Sequence, residues 1–311
     1  MGLTNIWLSA VRCYTYDTPI TRGRHVAYLT ALKFVAKLPE SMPAVARDGR
    51  KFDVDLSTGM QTTVFFLGEY EKPVTDIFEE TIKAKQSSKQ GLTFLDVGAN
   101  FGWYTTLFAK YAKQGGVVHS FEPVPKIFEN LKRNVDLLDD PSIVRINNLA
   151  LGEEEAELTI NLFEGLSTGH ASLSTQGRDD AIPFKCRVVT LDSYLEEHSV
   201  GDVDIVKVDI EGAELSFLKG ADRLFAQKTP PVFLMEMALN QAKNFGYKPN
   251  DLIEYIRSKA EYVFFKIDEV NRKLIQIDGF AADDIGANVL CFPKAEHDLD
   301  EMYQKMMKSN F

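Results

Sequence analysis

The chain has 311 residues, of which 45% are apolar and 26% are charged. This composition is ordinary for a soluble globular protein and leaves room for one large domain with additions, or for two modest ones. The formal net charge of −10 argues against wholesale binding to nucleic acid. No stretch of the sequence approaches the roughly 20 consecutive apolar residues that cross a bilayer, and the N-terminus lacks the basic-then-apolar layout of a signal peptide. The cysteines match no metal-site spacing and favour a reducing, cytoplasmic location; they are Cys13, Cys186 and Cys291.

The first 51 residues differ from the rest of the chain in charge. They hold eight Lys or Arg against three acids, a net of +5, so the rest of the chain carries −15. The segment either docks on an acidic or anionic partner or exposes a solvated basic helix face. Apolar residues at helical spacing from His25 to Leu38, ending before Pro39, predict an amphipathic helix. We expect an N-terminal helical segment over residues 1–45, through which a homo-oligomer could form.

A lead-in of one strand and one helix is expected over residues 46–90, with the strand near 52–56 and the helix over 74–82. From residue 91 onwards strands alternate with helices, which is typical of a parallel sheet covered on both faces. The predicted strands lie near 93–97, 117–122, 143–149, 204–209 and 232–237, and the predicted helices near 102–113, 124–138, 212–225 and 249–259.

Two stretches depart from this alternation. Between the third and fourth core strands, alternating runs at 158–162 and 184–188 predict a β insert. Near the end, strands at 262–267 and 287–292 are joined by a turn-rich link without a crossover helix, which suggests an antiparallel pair closing the sheet. The fold class is therefore α/β, with a mostly parallel sheet and an antiparallel last strand. The predicted parts of the chain are residues 1–45, 46–90, a core domain at 91–293 with its insert at 152–190, and a tail helix at 294–311.

Residues 94–122 read as a strand, a glycine-rich turn, a helix and a second strand with an acid, Glu122, at its tip. An acid at that position is placed to bind the ribose of a nucleoside, as in dinucleotide-binding units. The turn departs from G-x-G-x-x-G and has a carboxylate, Asp96, beside it. That carboxylate would repel a pyrophosphate carrying about two negative charges and would attract a cation. The stretch therefore favours S-adenosylmethionine, which has a ribose, an ammonium and a sulfonium, over NAD.

Each residue of this turn has an expected contact with such a methyl donor. Gly98 takes a turn that other residues strain to make. Gly102 lets a ligand approach the free N–H groups at the start of a helix, which suit a carboxylate. Asp96 and Asn100 would meet the ammonium, and Glu122 would accept bonds from two ribose hydroxyls. The alternative is a tight strand-to-helix turn with an incidental acid.

The segment after the third strand has two interpretations. In one, Asn148 reaches the adenine edge while Leu149 or Leu151 packs on the face of the base. In the other, which is equally well supported, the asparagine only forms the turn.

A second acidic stretch follows the fourth strand. The apolar strand at 204–209 delivers Asp209 and Glu211 to its tip, where they could stabilise a sulfonium, act as a base or hold a metal. Glu214 falls in the first turn of a helix, where capping alone explains it. Glu236 ends the next strand and could act with the other two. Three carboxylates suit Mg²⁺ or Ca²⁺ in principle, but their spacing is specific to no metal, so no metal site is predicted.

His170 lies in a Gly/Ser/Thr-rich loop that we expect over the site. A histidine titrates near neutral pH and is a natural general base for a hydroxyl, although a solvent-exposed loop histidine is the favoured interpretation of this residue alone. Trp103 and Tyr104 stand at helical positions that favour core packing over substrate stacking. The candidate catalytic residues are His170, Asp209, Glu211 and Glu236.

Five separated motifs occur in order: Asp96-Val-Gly-Ala-Asn-Phe-Gly-Trp-Tyr-Thr105, Phe121-Glu-Pro123, Ala150-Leu-Gly152, Thr190-Leu-Asp192 and Lys207-Val-Asp-Ile-Glu-Gly-Ala-Glu214. Together with Gly68-Glu-Tyr-Glu71 they resemble the FkbM-type methyltransferases over roughly residues 60–267. The resemblance implies a class I methyltransferase, Rossmann-like fold that uses S-adenosylmethionine, usually to methylate hydroxyls of sugars or natural products. Trp103 replaces a more usual smaller or phenolic residue, and residues 1–45 and 294–311 match nothing in that pattern. The donor site that the resemblance implies includes Glu71, Asp96, Gly98, Asn100, Glu122 with its neighbour Pro123, and Asp209.

The expected function is O-methylation of a small-molecule or glycan acceptor that the sequence does not identify. Three alternatives stay open. They are an NAD-linked oxidoreductase on a similar fold, a module that binds S-adenosylmethionine without catalysis, and a sugar- or lipid-surface protein that uses the basic N-terminus.

Overall fold

The computed structural model of the chain describes residues 3–18, 23–35, 38–112, 115–163, 181–281 and 284–294. Within these ranges the strands are β1 (Met42–Val45), β2 (Lys51–Val54), β3 (Thr93–Val97), β4 (Val117–Phe121), β5 (Val144–Asn147), β6 (Ala150–Leu151), β7 (Ala156–Phe163), β8 (Ala181–Val189), β9 (Ile205–Val208), β10 (Val232–Ala238), β11 (Tyr262–Asp268), β12 (Lys273–Ile277) and β13 (Gly286–Pro293).

The largest sheet has eight strands in the order β12-β11-β13-β10-β9-β3-β4-β5. Strands β10, β9, β3, β4 and β5 are parallel, and β9 is buried along its whole length, as a strand covered on both faces must be. The α/β class and all five predicted core strands are confirmed. The chain order reverses between β3 and β9, and such a switch point leaves a crevice beyond the carboxyl ends of the strands.

The end of the sheet differs from the sequence prediction in one respect. Strands β11 and β13 pair antiparallel as predicted, but β13 lies between β10 and β11. The edge is closed instead by β12, which pairs with β11 and was not predicted. Only Leu274 of its five residues is buried, although Ile275 and Ile277 are apolar as well.

Helices cover both faces of this sheet. A break at Gly220 splits the helix predicted at 212–225 in two, and a Cβ at this glycine would lie 2.0 Å from the carbonyl oxygen of Gly152. A glycine favours a helix end by itself, and the close approach of Gly152 requires a glycine at this position. The helices are α1 (Leu3–Arg12), α2 (Arg24–Leu32), α3 (Gly59–Leu67), α4 (Lys72–Ser88), α5 (Trp103–Tyr111), α6 (Pro125–Val135), α7 (Leu191–Glu197), α8 (Glu214–Lys219), α9 (Asp222–Ala226), α10 (Leu239–Asn244) and α11 (Pro249–Lys259), with a π-helical turn at Cys13–Asp17 and a 3-10 turn at Pro141–Ile143.

The N-terminal part contains helices α1 and α2, and the π-helical turn extends α1 at its end. Within the stretch expected to be helical, β1 is a strand paired antiparallel with β2. Helix α2 ends at Leu32, six residues before the predicted end at Leu38. The β insert is present as a second small sheet, in the order β6-β8-β7.

Side chains of β3 alternate between two apolar cores, one on each face of the sheet. Phe94 packs in the core that includes helices α4 and α5, and Leu95 in the core that includes α8 and α11. This alternation decides which side chains near the crevice point towards α5. None of the helices in the described ranges is long and apolar enough to cross a membrane.

Candidate active site

A cavity of about 530 Å³ opens where β3, β4, β9 and β10 end, at the switch point of the sheet. Its volume lies in the range of sites that bind small molecules. Its walls come from the strand ends, from α5 and from the β insert. The sequence-predicted residues that line it are Glu71, Gly98, Asn100, Glu122, Pro123, Asp209, Glu211 and Glu236.

One end of the cavity is formed by Gly98, Asn100 and Glu122, which we call the turn corner. Gly98 has a φ of 82°, and a Cβ on it would lie 1.9 Å from the backbone oxygen of Asp209. Only glycine fits here, because the turn needs positive φ and close approach of another backbone. The Glu122 carboxylate accepts N–H bonds from Asn100 and from Val124, both at 2.9 Å.

Glu122 has an unusual protonation equilibrium for a glutamate. Its side chain is 5% exposed, and burial raises its pKa to about 7, against the opposing effect of the N–H bonds from Val124 and Asn100. Each carboxylate oxygen accepts one of these N–H bonds and has a second lone pair. The side chain is therefore fixed in place and retains acceptor capacity for ligand hydroxyls.

Three residues that were expected to contact the donor do not line the cavity. Asp96 is buried and accepts a hydrogen bond from Thr105 at 2.5 Å, and burial raises its pKa to about 6. Gly102 begins α5 with a φ of 92°, and its missing Cβ makes room for Leu131. Asn148 donates to the backbone oxygens of Glu122 and Pro123. These geometries favour supporting roles, and for Asn148 they favour the turn interpretation.

The other end of the cavity is formed by Glu71, Lys207, Asp209, Glu211 and Glu236, which we call the acidic corner. Lys207 is only 2% exposed, and its Nζ donates to an Asp209 carboxylate oxygen at 3.0 Å. Nζ also lies 5.1 Å from the centre of a tyrosine ring, that of Tyr104. Burial of this ammonium is offset by Asp209, Glu71 and Asp96, which together raise its pKa. One buried cation thus stabilises negative charge on several carboxylates.

Glu71 joins α4 to this corner. It accepts a hydrogen bond from the hydroxyl of Tyr104 at 2.8 Å. Burial raises the pKa of Glu71, and the Lys207 ammonium lowers it. The carboxylate therefore depends on Lys207 for its negative charge.

Glu211 and Glu236 meet on the side of this corner that faces α10. The amide of Gln241 donates to Glu211 at 3.1 Å and to Glu236 at 3.5 Å. Burial and the neighbouring Asp209 carboxylate raise the pKa of Glu236 to about 9. Glu236 therefore carries a proton at neutral pH and is a hydrogen-bond donor in the free protein.

Backbone strain is concentrated around this cavity. Five residues other than glycine have positive φ in the described ranges, and three of them, Glu71, Asn100 and Glu211, line the cavity. Their φ values of 41°, 50° and 55° lie in the left-handed region that side chains disfavour. Strain of this kind persists where the surrounding structure holds a side chain in a required position.

The walls beside the turn corner are apolar. Leu149 and Leu151 line the cavity as expected from the sequence, and Ile160 and Val188 of the β insert face them. Such a surface suits the flat face of a nucleoside base. The insert therefore completes the cavity rather than only extending the sheet.

Two cavity residues, Tyr104 and Lys207, were given no functional role from the sequence. Neither was Gln241, which donates to Glu211 and Glu236 of the acidic corner. The signal for Lys207 was available, since a lone lysine in the apolar run Ile205-Val206-Lys207-Val208 is buried only when it is paired. Gln241 gives no such signal, because α10 was not predicted. His170 lies outside the described residues.

Comparison with known proteins gives a consistent result. A family model described as "Methyltransferase FkbM domain" matches residues 96–264, just over half of the chain. AMB antimetabolite synthetase AmbE from Pseudomonas aeruginosa is 26% identical over 68% of this chain. "Methyltransferase 1" from Beauveria bassiana is 30% identical over 41% of this chain, and hexuronic acid methyltransferase AglP from Haloferax volcanii is 29% identical over 40%. The chain spans 11%, 57% and 48% of these three proteins, respectively.

Proposed function

This chain belongs to the FkbM methyltransferase family, and from that premise we propose that it transfers the methyl group of S-adenosylmethionine to a hydroxyl group. The observation that carries the proposal is a single cavity in which a ribose-binding acid, Glu122, shares a wall with a cluster of carboxylates. The family match leaves the NAD-linked oxidoreductase without support.

The turn corner fits the nucleoside half of the donor. The free lone pairs of Glu122 are available to the two ribose hydroxyls. Leu149 and Leu151 offer apolar surface to the adenine. Asp209 and Glu71 supply the negative charge that an ammonium and a sulfonium require. When bound, the donor supplies a methyl group on a positively charged sulfur that is already activated for displacement.

The chain's own contribution to the chemistry is positioning and proton removal. An aligned acceptor oxygen saves about 7–11 kcal/mol in ideal cases. We assign Asp209 as the proton acceptor, because the Lys207 ammonium at 3.0 Å stabilises its negative charge. Glu236, whose pKa burial and the Asp209 carboxylate raise to about 9, would help to position the acceptor hydroxyl beside Asp209. Glu211 and His170 are the remaining candidates from the sequence.

The acceptor that we propose is a sugar or natural product bearing a free hydroxyl. Two named relatives support this class, since one is a hexuronic acid methyltransferase and another an antimetabolite synthetase. The cavity supports it as well, because carboxylates in the acidic corner can accept hydroxyl donors while Met60 and Phe245 offer apolar contact nearby.

Calorimetric titration tests the donor site. S-adenosylmethionine should bind and NAD should not. Glu122→Gln should weaken donor binding about tenfold to a hundredfold, because a hydrogen bond to a charged group contributes about 1.5–3 kcal/mol. The matched control is Glu214→Gln, since Glu214 is also buried and accepts the N–H of Gly212 at 3.1 Å without lining the cavity. Equal losses in both variants would contradict the ribose role.

Turnover tests the catalytic part. The chain is incubated with methyl-labelled donor and a panel of sugar and natural-product hydroxyl acceptors, and products are identified by mass spectrometry. Asp209→Asn should lower turnover about a hundredfold or more if it takes the proton. Donor binding without transfer to any acceptor would instead support the non-catalytic module.

A further inference from the structure

Exposed apolar side chains are concentrated in the N-terminal helices. Twelve large apolar side chains are exposed in the described part of the chain, and six of them lie between residues 6 and 34. Val26 is 68% exposed and Phe34 is 77% exposed. Contiguous exposure of this kind marks an interaction surface, whereas single exposed side chains do not. We define the N-terminal apolar face as Ile6, Trp7, Val26, Leu29 and Phe34.

The face is formed by side chains of two helices that pack on each other and of the turn that follows the second. Helices α1 and α2 pack on each other, and the indole N–H of Trp7 donates to the backbone oxygen of Ala31 at 3.5 Å. On α2, Val26, Leu29 and Lys33 follow each other at helical spacing on one side, opposite the buried Tyr28. Apolar side chains and a lysine therefore share one surface.

The N-terminal helices are attached to the body of the protein by specific contacts to α3. The Arg12 guanidinium donates to the backbone oxygen of Phe65, and the Thr15 hydroxyl to that of Phe66, both at 2.7 Å. The ring of Tyr28 stacks on Phe66 with centroids 5.3 Å apart. Helix α3 also carries Met60, which lines the cavity. The apolar face thus lies one helix away from the active site.

Charge identifies the occupant of this face. Within the described residues 3–18 and 23–35 the Lys and Arg residues are Arg12, which donates to the backbone oxygen of Phe65, and Arg24 and Lys33 of the second helix and its end. Lys33 is exposed on the face, and Arg24 begins the same helix. Within the described residues 3–18 and 23–35, Asp17 is the only acid. A second copy would oppose like charges across this face, whereas an anionic surface complements it.

We propose that the N-terminal apolar face docks the protein on the surface of a bilayer that contains anionic lipids. Helices with aromatic and aliphatic residues on one side and basic residues beside them lie in the lipid interface, with the apolar side chains among the acyl chains and the bases at the headgroups. The attachment to α3 would hold the cavity close to that surface.

Sedimentation of the full chain with vesicles tests this proposal. The probes are vesicles of phosphatidylcholine alone and of phosphatidylcholine mixed with phosphatidylglycerol. The chain should sediment with the mixed vesicles, and added salt should weaken the binding. Lys33→Gln should reduce the partition about fivefold, the effect of one basic residue at an anionic surface.

A pair of double variants distinguishes binding through this face from nonspecific adsorption to the vesicles. Val26→Glu with Leu29→Glu should abolish sedimentation with the mixed vesicles. Val270→Glu with Ile285→Glu is the matched control, since these side chains are 90% and 76% exposed and belong to a different part of the fold; it should bind like the unchanged protein. Equal loss in both double variants, or no binding to the mixed vesicles, would overturn the proposal. A dimer in light scattering that only the first double variant dissociates, without vesicle binding, would assign the face to a second copy instead.

Discussion

The two ends of the cavity hold carboxylates in different ways. In the turn corner, the Glu122 carboxylate is held by two backbone N–H groups, those of Asn100 and Val124. In the acidic corner, Glu71 and Asp209 are held by side chains, the Tyr104 hydroxyl and the Lys207 ammonium. Backbone donors are neutral and leave the acid close to half-ionised near pH 7, whereas a buried cation favours the ionised form. The first arrangement suits hydroxyl recognition and the second suits attraction of a cation.

The two corners touch at one point, where Gly98 lies against the backbone of Asp209. The position of each corner therefore depends on the other. Variants that alter one corner only, or the contact between the two corners, test whether the corners differ in this way.

The largest expected effect comes from Lys207→Met. Removing one partner of a buried ion pair costs about 3–5 kcal/mol, and Asp209 is 33% exposed, which favours the lower value. Chemical denaturation measures the loss. The matched control is Lys185→Met, whose partner Glu157 lies at 2.6 Å with both side chains exposed, and its effect on stability should be far smaller. Similar costs for both lysines would show that the acidic corner does not depend on its buried cation.

Gly98→Ala is expected to cost about 3 kcal/mol in the free energy of unfolding. A new Cβ would sit 1.9 Å from the Asp209 oxygen, and overpacking adds about 1–3 kcal/mol to the strain of positive φ. Gly49→Ala provides the control, because Gly49 has a φ of 87° and no neighbour within 4 Å of a Cβ. If the two variants were equally stable, the contact between the corners would contribute nothing.

The pH dependence of the free energy of unfolding should reveal the raised pKa of Glu122. Its folded pKa of about 7 lies above the ordinary 4.5, so between these values the folded state retains a proton that the unfolded state has lost. The contribution of this group to stability is therefore greatest below pH 4.5, and it falls as the pH rises to about 7, by about 3 kcal/mol. Denaturation at a series of pH values should show a shallower fall in Glu122→Gln. An unchanged slope would mean that Glu122 titrates normally.

The smallest expected effect belongs to Asn148→Ala. The amide donates to two backbone oxygens of the turn corner, at 2.8 and 3.1 Å, so its loss should cost about 0.5–1.5 kcal/mol of stability. Donor affinity by calorimetry should stay the same within error. A clear loss of donor affinity at unchanged stability would restore the adenine contact as its role.

The sequence predicts the turn corner because its residues are nearly contiguous and its geometry is local. Glycine at positive φ, a strand end and an acid at the next strand end define it almost completely. Asp96 shows where local reasoning stops. Strand alternation turns its side chain to the face covered by α5, where Thr105 meets it, and away from the cavity. The acidic corner forms only where several separate elements meet. Its acids were predicted one by one, whereas Lys207 and Gln241 received no role.

Fold prediction follows the same division. The apolar runs of β3, β4, β9 and β10 identify buried parallel strands, because burial on both faces removes polar residues. The separation of α8 from α9 was not predicted, although Gly220 is a local end signal; only the approach of Gly220 to Gly152 is invisible in the sequence. Strand β12 was not predicted either, because its five residues lie within a turn-rich link and only Leu274 of them is buried.

Both ends of the β insert are hydrogen-bonded to each other, with Ala150 opposite Val188 and Leu151 opposite Val189. The β insert is therefore closed at its base by the pairing of β6 with β8. Lengthening or shortening the connection between β7 and β8 transmits little displacement to the residues around Glu122. Changes confined to the β7–β8 connection could alter what enters from that side of the cavity, while Ile160 and Val188 keep the wall that we propose for the adenine.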